Sequence, residues 1–264
     1  DGVVDYLDAG TNAELAFGSG NHTLVAWFNI DAHSSGYHYI VSIGDNATGK
    51  QSGLGVRNAG GVLFLSAYSS PIVETAATVT AGDWHRLVMV YTGNSTDTAD
   101  FYVDGAFVEQ ESIDLDVTVG KLMIGSNVGA SPSFDGKISD VQVWDTAWTL
   151  SDVTNDYTHP EMLAHTFSGT SLASTNLKAW YPMTEGNPES PQTTIFDGSG
   201  NKNHATSVFY GDEEVVNGDM ETFPTLHATN DDTFTDESVD GSQNVTMVTE
   251  GTIKNNGSKS AKCT

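Results

Sequence analysis

The chain has 264 residues, 38% hydrophobic and 17% charged, with 27 glycines and 35 acids against 10 bases, a formal net charge of −25. It is long enough to bury a core without disulfide staples, and its scarcity of charged helix formers argues against a helical bundle. So acidic a surface repels phosphate backbones and anionic lipid, which excludes nucleic acid and membrane surfaces as natural partners. A lone Cys263 excludes an intramolecular disulfide and argues against zinc–thiolate chemistry.

In chain order, residues 22–30 (His-Thr-Leu-Val-Ala-Trp-Phe-Asn-Ile) are apolar on both parities, as in a strand covered on both faces. Further strands are expected over 37–43, 53–57 and 62–68, the last two joined through Asn58-Ala59-Gly60-Gly61, whose glycines supply the positive φ of a tight hairpin. Strands over 85–91, 100–103, 106–111, 121–124 and 137–144 follow, with Asp104-Gly105 the strongest short hairpin signal. This many short strands separated by polar turns predict a sandwich or barrel. A helix over 150–157, capped by Thr149 or Ser151 and stopped before His159-Pro160, is expected to cover one end of it.

Beyond Pro160 the composition changes. Residues 165–176 are rich in Ser, Thr, Ala and Gly, so 161–176 is expected to be a linker. A compact strand at 177–183 and a polar loop at 197–204 come next, and 211–264 carries 11 acids, three bases and few large apolar residues.

Several of these phrases resemble laminin-G-type domains of the concanavalin A-like lectin/glucanase family. They are Asp1-Gly2-Val3-Val4-Asp5-Tyr6-Leu7, Thr23-Leu24-Val25-Ala26-Trp27-Phe28, Gly82-Asp83-Trp84-His85-Arg86-Leu87-Val88, Phe101-Tyr102-Val103-Asp104-Gly105, and Phe134-Asp135-Gly136-Lys137-Ile138-Ser139-Asp140-Val141-Gln142-Val143-Trp144. The resemblance implies an all-β, concanavalin-like antiparallel jelly-roll sandwich over 1–160 with a short terminal helix. Residues 177–210 resemble a further segment of the same family, expected to pack on this sandwich or on a neighbour's. In the smaller β-rich region 211–264, residues 216–221 and 257–262 resemble parts of galactose-binding-like modules, as the start of a second module.

Glucanases of this fold carry an E-x-D-x-(x)-E strand, which is absent here. The nearest acid cluster, Glu109, Glu111, Asp114 and Asp116, reads as a solvated edge. No G-x-S-x-G, H-E-x-x-H or P-loop is present either, so no catalytic residue is assigned and the chain is not expected to be an enzyme. By resemblance, Asp140 is the expected holder of a structural Ca²⁺, with Asp45, Asn46 and Asp5 as companions. Asp197, Ser199, Asn201 and Asn203 alternate oxygen donors as a second candidate, without the Glu of an EF-hand. Tyr37, Tyr39 and Tyr68, with Arg57 and Asn58, are the candidate sugar contacts, whereas Trp27, Trp84 and Trp144 are assigned to the core. The expected function is recognition or adhesion as a calcium-stabilised, lectin-like, non-catalytic protein that binds a glycan outside the cell or on a virion surface. The alternatives are a structural assembly subunit without sugar affinity and an accessory module of a polysaccharide-active enzyme.

Overall fold

The computed structural model describes residues 5–31, 36–57, 60–67, 71–94, 96–131, 134–184, 193–208, 247–255 and 258–263. The chain divides into two units, Asp1–Asn187 with Pro191–Asp212 and Pro188–Ser190 with Glu213–Thr264. In the second unit, one antiparallel hairpin is described, Met247–Asn255 paired with Ser258–Cys263. Residues 216–221 lie outside the described residues.

The first unit is the antiparallel sandwich expected from the sequence. Its strands are β1 (Tyr6–Thr11), β2 (His22–Ile30), β3 (Tyr37–Gly44), β4 (Gln51–Arg57), β5 (Val62–Ser66), β6 (Ile72–Thr78), β7 (His85–Thr92), β8 (Thr98–Val103), β9 (Ala106–Ser112), β10 (Lys121–Ile124), β11 (Gly136–Trp144), β12 (Leu177–Tyr181), β13 (Thr194–Ile195) and β14 (Ala205–Val208). Among the described residues, eight strands form one sheet in the order β13-β14-β1-β10-β3-β4-β5-β6, and six form the other in the order β12-β11-β2-β7-β8-β9. At the β8–β9 hairpin, Asp104 and Gly105 take φ of 51° and 78°, the left-handed pair that matches a two-residue turn to strand twist. The sequence pattern missed β6, whose Ala- and Thr-rich run alternates weakly because it is an edge strand.

Two apolar layers follow from strand periodicity. Leu24, Phe28, Leu54, Leu65, Met89 and Val143 belong to the core between the sheets. On β2 the other parity also buries a side chain, Val25, which joins Val88, Trp144, Trp148 and Val153 in a second layer on the outer face of the six-stranded sheet. Helix α1 (Leu150–Thr158) closes this layer, so it covers a face of the sheet rather than an end of the sandwich. Thr149 caps it, its hydroxyl accepting from Asp152 N while the Asp152 carboxylate accepts from Thr149 N. Residues 161–176, marked by composition as a linker, place Ala164 and Leu172 in the same layer.

The segment 177–208 joins both sheets at one side. β12 pairs with β11, while β14 pairs with β1 and β13 with β14. On the opposite side, Glu109 Oε2 of β9 accepts from Ala76 N of β6 at 2.6 Å, covering a backbone donor on an edge strand.

His22 spans the interior. Its ring is fully buried, stacks on Phe17 at 5.0 Å, and its Nε2 lies 2.9 Å from Ser52 Oγ on the other sheet. Burial lowers its pKa from 6.5 to about 4, opposed by the Gly20 carbonyl. Between these values the unfolded chain binds the proton and the folded one does not, so stability is complete above pH 6.5 and falls as the pH drops. In urea titrations, the acid-side loss should be shallower for His22→Gln than for wild type by about 3 kcal/mol across this window.

Candidate functional site

The sequence-derived sugar contacts divide between described and undescribed residues. Tyr37, Tyr39 and Arg57 lie together on the outer face of the eight-stranded sheet, whereas Asn58 and Tyr68 fall outside the described residues. Alternation along β4 and β5 sends Leu54 and Leu65 inward and leaves Arg57 and Phe64 outward, while on β3 the register shift between Tyr39 and Val41 turns Val41 inward and leaves Tyr37 outward. The Phe64 ring meets Tyr37 and Tyr39 edge-on at 4.9 and 5.0 Å. Gly53 and Gly55 on β4 make room for these rings, since a Cβ would sit 2.8 Å from Tyr39 at Gly53 and 2.9 Å from Phe64 at Gly55. The Arg57 guanidinium lies 5.0 Å from the Tyr37 ring centroid and is ion-paired with Glu74. Tyr37 Oη donates to the same Glu74 carboxylate at 3.4 Å. Tyr39 and Phe64 are buried, so the solvent-facing part is Tyr37, Arg57 and Glu74: an aromatic edge beside a guanidinium fork and a carboxylate.

Asp140 does something other than the resemblance implied. It sits at a bulge on β11, where the register shifts between Ser139 and Gln142, and takes a left-handed φ of 45°. The bulge turns its carboxylate onto nitrogen donors: Oδ1 accepts from Trp180 Nε1 at 2.6 Å, and Oδ2 accepts from Gln142 Nε2 at 3.0 Å and pairs with Arg86 Nη1 at 2.8 Å. Arg86 is buried and is also held by Asp156 through Nε and Nη2, at 2.7 and 2.8 Å. Burial alone would lower the Arg86 pKa, but Asp156 and Asp140 outweigh it and raise it. With its oxygens engaged by cations and N–H groups, Asp140 does not fit a Ca²⁺ ligand.

The 197–203 loop has a similar explanation. Asp197 Oδ1 accepts from Trp180 N and Ser199 N, and Oδ2 from Ser199 Oγ and Asn203 N, all at 2.8–2.9 Å. Asn201 Nδ2 donates to Leu177 O and Lys178 O, and Asn203 Nδ2 donates to Lys178 O. The alternating side chains thus satisfy the open edge of β12 in place of a neighbouring strand. That produces a two-residue periodicity of oxygens and amides without a cation cage. Asp5 lines a cleft of about 230 Å³ with Tyr6, Leu7, Ile124, Phe134 and Met183, and among the described residues it is the one carboxylate of that lining.

Asp45 and Asn46 differ from these. Both are exposed on the turn after β3. A Cβ built on Gly129 would meet Asn127 Oδ1 at 3.2 Å and Asn46 Oδ1 at 3.3 Å, so two amide oxygens from facing loops border one space. Asp45 Oδ1 accepts from Asn46 N, and Asn127 Oδ1 accepts from Gly129 N and Ser131 N at 3.0 and 3.1 Å. Among the described residues, no group of three or more His, Cys, Asp or Glu is placed to hold a metal.

Of the tryptophans assigned to the core, Trp144 is fully buried, Trp27 is partly exposed, and Trp84 is 46% exposed on the turn before β7. The sequence placed Trp84 inside because its phrase is strand-like; the strand begins one residue later, at His85.

A family model for the concanavalin A-like lectin/glucanases superfamily matches residues 1–154. A search of curated protein sequences finds no match. Among solved structures, a Bacteroides ovatus protein described as carbohydrate-binding superposes with a TM-score of 0.55 at 14% identity; the match covers 78% of this chain but 58% of that one. A heptameric SAP-like pentraxin of Limulus polyphemus gives 0.45 at 18% identity, covering 59% and 76% of the two chains. The sialidase carbohydrate-binding module CBM40 of Ruminococcus gnavus, solved with α2,3-sialyllactose, gives 0.42 at 13%, covering 52% and 83%. At these identities the likeness is one of fold.

The buried ion network is the part of this region most exposed to mutation. Removing one partner of such a pair costs about 3–5 kcal/mol, because the other charge stays buried. In urea unfolding, Asp156→Ala should lose about this much, while Arg86→Met with Asp156→Leu should lose less than the sum of the two single variants.

Proposed function

Because the chain belongs to the concanavalin A-like lectin/glucanase superfamily, we propose that it is a non-catalytic carbohydrate-recognition protein acting outside the cell or on a virion surface. Its first glycan contact is the Tyr37–Arg57–Glu74 group. The observation that carries this is the guanidinium fork held over a tyrosine ring beside a carboxylate, on a rigid sheet face. An aromatic ring offers a surface to a sugar's C–H face, while Arg57 donates to hydroxyls and Glu74 accepts from them. A non-catalytic role is supported by the carboxylates themselves: Glu109 accepts a backbone N–H, Glu74 is paired with Arg57, and Asp140 and Asp156 are committed to Arg86.

Calcium stabilisation belongs to the same proposal, with Asp45, Asn46 and Asn127 as the ligating set. Adding Ca²⁺ to the chelated protein should raise its melting temperature, and Asn46→Ala should remove that rise. An equal melting temperature with and without Ca²⁺ rejects the calcium site and leaves sugar binding intact.

Glycan-array screening followed by calorimetry tests the glycan contact. Tyr37→Ala should weaken binding about tenfold, with Arg57→Ala weakening it as well. A wild-type protein that retains no glycan on the array rejects the proposal.

A further inference from the structure

We propose a second glycan contact on the other side of the sandwich, an aromatic shelf of Trp84, Trp27 and Tyr157 that takes a neutral oligosaccharide. It rests on the carbohydrate-recognition function proposed above and adds to it a site and a ligand class.

The shelf lies on the outer face of the six-stranded sheet, beside α1. Trp84 is 46% and Tyr157 36% exposed, and the rings of Trp27 and Tyr157 are 6.0 Å apart. Trp27 pairs with Arg86 across β2 and β7. Trp84 sits on the turn that leads into β7, next to His85, which pairs with Phe28 beside Trp27. Trp27 and Tyr157 thus form a ring pair on this face, and the exposed Trp84 stands on the turn at the adjoining strand end.

Two of the rings are backed, and the turn that carries the third is tied down. The Arg86 guanidinium sits 5.6 Å from the Trp27 ring centroid and is itself fixed by Asp156 and Asp140. Tyr157 lies against Gly105, where a Cβ would come within 2.9 Å of its ring. The Trp84 turn is tied down by Gly82 N donating to Ile30 O and Asn29 Nδ2 donating to Gly82 O, both at 2.8 Å. Thr80 Oγ1 donates to Asp83 Oδ2 at 3.0 Å, and His85 lies between Thr80 and Asp104. A pre-ordered aromatic surface loses little entropy when a ligand settles on it.

The ligand class follows from the rim. Pyranose C–H faces match exposed indole and phenol rings, and Asp83, Thr80 and the exposed Lys137 offer hydroxyl partners. Asp83 and Asp104 border the shelf, and the chain carries a net −25, so uronate or sialylated chains are repelled where neutral ones are not.

Calorimetry on the full chain with cellohexaose, xylohexaose, mannohexaose and oligogalacturonate tests this. Wild type should bind a neutral hexasaccharide, and Trp84→Ala and Tyr157→Ala should each weaken that binding about tenfold while both variants still unfold in one cooperative transition well above the assay temperature. Tyr37→Ala should leave this component in place. If both shelf variants bind like wild type while Tyr37→Ala loses the ligand, the shelf is overturned and the first site stands. Tighter binding of oligogalacturonate than of any neutral chain overturns the ligand class. Failure of wild type to bind any of the four overturns the shelf, and array-wide failure extends this to the function on which it rests.

Discussion

A buried arginine organises the outer layer of this protein. Arg86 lies on a central strand of the six-stranded sheet, where its charge has no access to water. Such a group is tolerated only when its donors are matched, and two elements supply the acceptors: Asp156 from α1, and the side chain and carbonyl of Asp140 from the β11 bulge. Asp140 in turn receives Trp180 from β12 and Gln142, whose amide oxygen accepts from Trp144. One charge therefore fixes the helix, the bulge and an added strand against the same sheet. The arrangement specifies where these elements dock more than it stabilises them, because an apolar substitute of similar shape would avoid the desolvation cost.

Legibility in the sequence followed the range of the interactions. The β2 strand was readable because both parities are apolar, and it is buried on both faces apart from part of Trp27. Asp104-Gly105 was readable because a two-residue hairpin has few conformational solutions. The helix start was equally local, a capping box three residues wide. What could not be read depended on partners distant in sequence. Nothing near Asp140 indicates that Arg86, 54 residues earlier, will face it, and the oxygens of 197–203 look like a metal loop until the bare edge of β12 is seen beside them. Trp84 was misplaced by a single residue at a strand end, where periodicity carries least information.

The two outer faces of the sandwich have different chemistry. The eight-stranded face carries an aromatic cluster closed upon itself, with glycines beneath and a single ion pair at its exposed margin. The six-stranded face is mostly covered by α1 and the chain that follows, and aromatic surface emerges at Tyr157, at Trp84 and at Phe107, which packs on Tyr102. Both surfaces sit on strands or ordered turns rather than long loops, so their geometry is set by the same hydrogen bonds that hold the sheets.

The segment 177–208 also has a mechanical side. It contributes β12 to one sheet and β14 to the other, and between them the 197–203 loop is tied to β12 and, through Asn203 and Asn12, to the chain just after β1. Tension arriving through the chain after residue 208 first meets the ladder between β14 and β1, backed by these side-chain ties. Load is then divided between two sheets instead of peeling one strand from one edge. Under such a load both outer faces of the sandwich would keep their shape.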